Sequence, residues 1–403
     1  MAHGGSWWRS GDGLRRFVFD FVAGELSHLR PGAPVRRDAW SETLALDADL
    51  GVDSLELLAL AGAFAQSLHL HESGVEDWLL ARRRLADWIE IARAGLEHFE
   101  DSLTFRTSGS TGTPKPCVHS LATLRQETRQ LAALFPARSR VLCAVPAHHI
   151  YGFLFTVLLP RTLGLPDDAV VDVRGSVPAS LARIARAGDL VVGHPDFWSA
   201  AGQGNQPLPP DVIGVTSTAP CPDGVSAAME RAGLSRLFQI YGSSETAGIG
   251  WRSSQRDPYA LFPHWSFASD EDALVRRLPD GSLQPASSPD ALQRIGERHF
   301  RVGPRHDDAV QVGGTNVFPA QVRDVLLAHP MVEDAAVRLM RPEEGGRLKA
   351  FVVPKRETEG LQVELQKWIA TRLPTAARPK AITLGNALPT SDAGKLADWP
   401  VVR

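Results

Sequence analysis

A chain of 403 residues is too long for one small domain, and its length suggests two or three, each able to bury its own core. Its composition, 43% hydrophobic and 22% charged, is that of an ordinary globular protein. The formal net charge of -3, with Lys and Arg spread along the chain, leaves no basic footprint for DNA or RNA, so no nucleic-acid partner is expected.

Cys117, Cys143 and Cys221 lie far apart with no C-x-x-C pair, which argues against a disulfide framework or a structural zinc site. The N-terminus, MAHGGSWWRSGDGLRR, lacks the apolar core of a signal peptide. No run of about 18 apolar residues exists to span a bilayer. The expectation is a cytoplasmic protein with reduced thiols and no membrane span.

In chain order, residues 14 to about 95 read as helical: LRRFVFDFVAGELSHL, SLELLALAGAFAQSLHL and VEDWLLARRRLADWIEIARAGL all place apolar residues at helical spacing. From about residue 103, short β-branched runs alternate with helical patterns, the signal of a parallel sheet covered by helices. The expected strands include 140–146, 189–195, 212–218 and 237–242, with helices in LATLRQETRQLAALF and PASLARIARAG between them. The stretch LPDGSLQPASSPD (278–290) reads as a surface loop. Beyond Asp307 a smaller α+β unit begins, with helices in PAQVRDVLLAHP and LQVELQKWIATRL and strands in AAVRLM and LKAFVVP. The fold class is therefore α/β, with predicted domains at 1–96, 97–307 and 308–403.

TSGSTGTPK (107–115) combines two glycines, five hydroxyls, a proline and a lysine. Glycines let backbone N–H groups turn inward and hydroxyls add donors, so such a loop can wrap an anion with little charge of its own. A flexible turn is the plain alternative. It is not a Walker A loop, because Pro114 stands where glycine is required, and the other Gly-Lys, at 394 and 395, is followed by Leu396. No G-x-S-x-G or H-E-x-x-H is present.

TSGSTGTPK closely resembles the phosphate loop of the adenylate-forming enzymes, the superfamily of acyl-CoA synthetases, luciferases and nonribosomal-peptide adenylation domains. On that resemblance Thr107, Ser108, Gly109, Ser110, Thr111, Gly112 and Lys115 bind the phosphates of ATP. YGSSETAGIG (241–250) is similar to the family's Y-G-x-T-E segment, which implies that Tyr241 packs on adenine, Ser244 reaches a phosphate and Glu245 holds Mg2+. A carboxylate with a hard cation suits the charge of ATP. Ser217, Thr218 and Ala219, in TSTAP, take the place of the adenine-pocket segment. The stretch GPRHDDAVQVGGTNVFPAQ makes Arg305 the ribose contact and Asp307 the hinge, and the family spacing puts the ribose carboxylate at Asp290. LPTSDAGKL (388–396) resembles the closing P-x-T-x-x-G-K segment, making Lys395 the mobile catalytic lysine. His149, in PAHHIYG, falls at the family's gate beside the acid, and Phe153, Trp198 and Trp251 are further acyl-pocket candidates, with ordinary core packing as the alternative for each. Departures from the pattern are Ser244 for threonine, Pro304 beside Arg305, Gln311 for lysine, and a large domain lacking its usual leading segment.

In place of that segment, ALDADLGVDSLELLALAGAFAQSLHL (45–70) is similar to acyl carrier proteins around D-S-L, which would make Ser54 a 4′-phosphopantetheine site. Asp53 and Glu56 also have the spacing of a D-x-x-E capping box, which accounts for Ser54 by position alone.

The resemblance implies an AMP-forming acid–thiol ligase using ATP and Mg2+. A carboxylic acid becomes an acyl-adenylate, and a thiol then takes the acyl group, with alignment and charge stabilisation as the enzyme's part. The compact layout resembles ligases of aryl polyene and xanthomonadin-type pigment pathways, so the expected substrate is an aromatic acid such as 4-hydroxybenzoate. The expected acceptor is an acyl carrier protein, in cis through Ser54 or in trans, with coenzyme A as the alternative. A non-catalytic nucleotide-binding scaffold is the alternative of another class.

Overall fold

A computed structural model describes residues 6–9, 11–30, 33, 35–37, 40–107, 115–268, 273–356, 359–389 and 396–401. Its described residues divide into two compact units, one within 6–26, 36–107 and 115–306, the other within 27–35 and 307–401.

The larger unit begins with helices α1 (Gly11–Leu29), α2 (Ser54–Leu68), α3 (Trp78–Ala81) and α4 (Leu85–His98). α1 buries Leu14, Phe17, Val18, Phe21 and Val22, an apolar stripe at helical spacing. Phe21 meets Phe64 of α2 at 5.3 Å between ring centroids, and Phe64 meets Trp88 of α4 at 5.0 Å. Strands β1 (Ser102–Thr107) and β2 (Lys115–Ser120) form an antiparallel hairpin, followed by α5 (Leu121–Leu134). The N-terminal helices share their interior with the hairpin and the elements after it: Phe153 packs on Trp7 at 4.9 Å, Phe105 at 5.5 Å and Phe17 at 5.8 Å. Such aromatic contacts, buried on every side, make one continuous core of these elements.

Next come β3 (Arg140–Cys143), α6 (Ile150–Phe153), a π-helical turn at Leu154–Leu158, α7 (Leu159–Thr162), β4 (Val170–Asp172), α8 (Leu181–Ile184), β5 (Asp189–Gly193), α9 (Pro195–Ala201), β6 (Ile213–Thr216) and α10 (Asp223–Arg231). Within the π-helical turn the Thr156 carbonyl accepts from the buried Arg16 at 2.9 Å, a carbonyl taken up by a side chain as such wide turns permit. The unit continues with β7 (Arg236–Ser243), β8 (Ala247–Arg252), β9 (Tyr259–Leu261), β10 (Trp265–Phe267), β11 (Leu274–Arg277), β12 (Leu283–Ala286), β13 (Asp290–Ile295) and β14 (His299–Arg305).

One sheet runs β13-β14-β9-β8-β7-β6-β5-β3-β4. β4, β3, β5, β6 and β7 are parallel, and the strands from β8 outward are antiparallel. All five residues of β5 are buried, as expected of a parallel strand covered on both faces. The four expected parallel strands are therefore present. The stretch 278–290, read as a loop, instead contains β12, which pairs with β11 in a three-stranded sheet.

In the smaller unit β15 (Val310–Val312) and β16 (Thr315–Val317) pair antiparallel, and after them come α11 (Pro319–Leu327), β17 (Val332–Leu339), β18 (Leu348–Pro354), α12 (Leu361–Ala370) and β19 (Ala381–Leu384). The strands lie in the order β17-β18-β19, and Val322, Leu326, Leu348, Val352, Leu365 and Ile369 fill the core beneath them. Among the described residues, no helix is long and apolar enough to cross a membrane.

Candidate active site

The hairpin register pairs Thr107 with Lys115, so the ends of the glycine-hydroxyl loop stand directly opposite one another. Ser108, Gly109, Ser110, Thr111 and Gly112 lie outside the described residues, as does the side chain of Thr107. The hairpin itself is well held. Ser67 donates to the Thr104 carbonyl at 3.0 Å, and the Thr104 hydroxyl lies 3.0 Å from His69 Nε2. Lys115 is exposed at the start of β2.

The tight turn between β7 and β8 carries Ser244 and Glu245. Ser243 and Thr246 close it: the Ser243 N–H donates to Thr246 Oγ1 at 3.2 Å and the Thr246 N–H to Ser243 Oγ at 3.3 Å. A Cβ at Gly242 would stand 2.1 Å from the Ala247 carbonyl oxygen, so only glycine permits this approach. Three buried side chains grip the turn from beneath. His119 Nε2 lies 2.6 Å from the Ser244 carbonyl oxygen and must be the donor there, since a carbonyl only accepts. Arg276 donates to the Thr246 carbonyl at 3.3 Å. The Gly248 N–H donates to both carboxyl oxygens of Glu127, at 3.0 and 3.1 Å.

Burial lowers the His119 pKa, against its bond to Ser244, so the ring is held neutral. Burial also pushes the Glu127 carboxyl up to about 7, opposed by Arg276 and the Gly248 N–H. Glu245 is exposed and makes no ion pair with a described residue. Its charge is felt on β2: the Cys117 thiol is pushed up to about 11, by burial first and then by Glu245. This places Glu245 beside the strand that leaves the glycine-hydroxyl loop. Among the described residues no three metal-ligating side chains cluster, so a Mg2+ at this point would take Glu245 and otherwise oxygens from outside those residues. An exposed carboxylate with no ion pair among the described residues is chemically suited to such an ion.

A second group gathers Tyr241, Asp290 and Arg305. The Tyr241 hydroxyl donates to Asp290 Oδ2 at 2.7 Å and lies 2.7 Å from Ser288 Oγ. Arg305 Nη1 stands 3.8 Å from Asp290 Oδ1, the two residues being cross-strand partners on β13 and β14. Burial, then the Asp290 charge, raise the Tyr241 pKa well above its ordinary value, so it stays a neutral donor. Behind it pack Tyr259 and Phe300. Ser217 donates to the Ile240 carbonyl at 2.9 Å, tying its segment to β7, while Thr218 is exposed at φ 77° and Ala219 is half-buried.

The segment 146–152 comes directly after β3. Asp20 of α1 accepts the Ala147 N–H at 2.7 Å, and the Tyr151 hydroxyl donates to the carbonyls of Gly193 at 3.0 Å and Val215 at 3.2 Å. His149 is exposed, its ring 4.0 Å from that of His148. Phe153 and Trp198 have no exposed surface. The former is enclosed by Trp7, Phe17 and Phe105, and the indole of the latter donates to the Val215 carbonyl at 3.1 Å. Both expected acyl-pocket positions are spent on core packing. Trp251 is half-buried against Phe238.

Ser54 is exposed in the first turn of α2, where the capping box forms: Asp53 accepts the N–H groups of Leu55 at 2.9 Å and Glu56 at 2.8 Å, and Glu56 accepts that of Asp53 at 3.2 Å. In the smaller unit, the division between the two compact units falls between His306 and Asp307, and Asp307 accepts the Ala309 N–H at 3.3 Å. Lys395 lies outside the described residues. The neck of its segment is closed by the Ala397 N–H on the Pro389 carbonyl at 2.8 Å. Beyond it, buried Lys349 bonds the Trp399 carbonyl at 2.7 Å and pairs with Glu344 and Asp398, each at 2.9 Å.

Sequence reasoning did not single out Asp20, His119, Glu127, Arg276 or Ser288. Their signal is faint because each is an ordinary polar residue that acts on a segment distant in the chain.

Residues 104–266 match the family described as AMP-binding enzyme, and residues 321–395 match the AMP-binding enzyme C-terminal domain. The chain belongs to the adenylate-forming, AMP-binding enzymes, and it is an AMP-forming acid–thiol ligase. It is 40% identical over 372 residues to a 4-coumarate–CoA ligase of Cereibacter sphaeroides, across 89% of this chain and 86% of that one. A 4-coumarate–CoA ligase of Halorhodospira halophila is 38% identical over 393 residues, across 96% of this chain and 98% of that one. Among solved structures, the amide bond synthetase McbA from Marinactinospora thermotolerans shares the fold with a TM-score of 0.63 at 17% identity, over 95% of this chain and 92% of that one. An o-succinylbenzoate CoA synthetase (MenE) double mutant from Bacillus subtilis gives 0.59 at 20% identity, over 80% and 72%.

Proposed function

We propose that this ligase activates an aryl carboxylic acid of the 4-coumarate type and passes the acyl group to coenzyme A. One observation carries the reading: the 4-coumarate–CoA ligase of Halorhodospira halophila matches 96% of the chain, which leaves no room for residues 1–96 to fall outside the match. Those residues therefore need no separate carrier role, and the bonds of Asp53 and Glu56 account for Ser54 as a helix-start residue.

Within this reading Tyr241, Asp290 and Arg305 hold the nucleoside, Lys115 and the loop before it hold the outer phosphates, and His149 borders the acid. Glu245 would hold Mg2+, which when bound would neutralise part of the charge on the phosphates. Ser244 hydrogen-bonds a phosphate oxygen, and Lys395 meets the charge that develops between the acid and the α-phosphate, an interaction of most value once water is excluded. The acid attacks the α-phosphorus, pyrophosphate leaves, and a thiol then attacks the activated carbonyl with AMP as the leaving group. Asp307 serves as the hinge between the two steps.

Acid-dependent ATP–pyrophosphate exchange, run with 4-coumarate, 4-hydroxybenzoate and a fatty acid, tests the first half. Exchange is expected with the aryl acids, and none with any acid would sink the proposal. Mass spectrometry of the thioester formed with equimolar coenzyme A and a holo carrier protein tests the second. Acyl-carrier as the sole product would restore the carrier-protein ligase of the pigment-pathway type, and a phosphopantetheine mass on Ser54 after transferase treatment would place that carrier in cis.

A further inference from the structure

Helix α1 carries a glycine, Gly24, in its interior, where glycine is a poorer helix former than alanine. The space beside it explains the choice. A Cβ at position 24 would stand 2.5 Å from His148 Nε2 and 2.7 Å from His148 Cε1. His148 is half-buried: Phe21 meets it edge-on at 6.2 Å, and among the described residues its buried Nδ1 has no hydrogen-bond partner. Burial, then His149, Arg174 and Arg37, keep its pKa well below the ordinary histidine value, so the ring is neutral. Its open contact is His149, 4.0 Å away, whose own side chain is exposed.

The spacing between α1 and this segment is fixed. Asp20, one turn before Gly24, accepts the Ala147 N–H at 2.7 Å and is gripped by Arg37 and, at 2.9 Å, by Arg174. Extra volume at position 24 cannot push helix and segment apart, so the His148 ring has to take it up and pass it to His149.

We propose that Gly24 is the positioning residue that sets where His149 stands against the acyl group, making α1 the back wall of the acid site. This rests on the reading that His149 borders the acid, and it gives the N-terminal helices a part in substrate choice.

The test is Gly24→Ala, which by helix propensity should leave α1 intact, measured in pyrophosphate exchange. A displacement of about 1 Å at a substrate-bordering group raises KM for the aryl acid roughly tenfold or more, while KM for ATP stays unchanged. Adding His148→Ala to Gly24→Ala restores the acid KM. An unchanged acid KM, a matching rise for ATP, or failure of the double variant to recover would overturn the proposal. Should Gly24→Ala fail to fold, His148→Ala alone is expected to shift preference toward bulkier aryl acids, and an unaltered preference refutes it. If the parent exchanges with no acid, the functional reading fails by itself. The positioning claim is then judged by a crystal structure of Gly24→Ala, where an unmoved His149 ring would overturn it.

Discussion

Glu127→Gln isolates one buried proton. Glu127 has no exposed surface, and burial raises its carboxyl from 4.5 to about 7. The native state therefore keeps a proton that the unfolded chain has released between those two values. Its stabilising contribution is complete below about pH 4.5, declines as the pH rises, and is gone above about pH 7. At about 1.4 kcal/mol per pH unit, the interval is worth at most roughly 3 to 4 kcal/mol. Glutamine is neutral throughout and can still accept the Gly248 N–H. The unfolding free energy of Glu127→Gln, taken relative to the parent, should thus rise by up to roughly 3 to 4 kcal/mol between pH 4.5 and pH 8. Urea unfolding of both proteins across that range, monitored by near-ultraviolet circular dichroism, measures it. Trp265 supplies a local signal, since its indole donates to the Gly248 carbonyl at 2.8 Å. Every other titrating group is common to the two chains and cancels. Parallel pH curves would refute the assignment of a raised carboxyl at this position.

Gly242→Ala places a methyl 2.1 Å from the Ala247 carbonyl oxygen and should cost roughly 1–3 kcal/mol of stability and most of the exchange activity; unaltered melting would contradict the turn geometry. Asp290→Asn removes the charged acceptor of the Tyr241 hydroxyl and should raise KM for ATP about tenfold without altering KM for the acid, as steady-state kinetics would show. Asp53→Ala should cost about 1 kcal/mol through loss of the α2 cap, whereas Ser54→Ala should leave thioester formation unchanged; a collapse of turnover in the latter would revive the carrier role.

The parallel strands and α5 were legible because hydrophobic runs and helical spacing are local signals. The family itself was legible for a different reason: its motifs call for particular residue types at particular spacings, and these can be matched without a structure. Asp290 could be found by spacing even without its usual neighbours, and it does meet Tyr241 and Arg305. Strand β12 escaped because Leu283, Gln284 and Pro285 are all exposed, which leaves no alternation of apolar and polar residues to read. Glu127 looked like the polar side of a helix, and only the tertiary contact with Gly248 buries it. Gly24 was equally silent, since its reason for being glycine is a ring more than a hundred residues away. For Phe153 and Trp198 the sequence left two readings open, since an aromatic near a substrate motif is as apt to fill the core as to line a pocket, and their full burial fits the first.

The ammonium of Lys349 bears on how the role of Lys395 should be tested. Shortening the chain to delete Lys395 would also strip away Asp398 and the Trp399 carbonyl, leaving Lys349 buried with Glu344 as its remaining partner among the described residues. A truncated enzyme that fails to adenylate would thus report a damaged small unit, and the failure would be misread as chemistry. Any tag fused to the tail faces a related constraint, because Trp399 is itself buried and has to stay so. The informative comparison is Lys395→Ala in a chain that keeps its last residues.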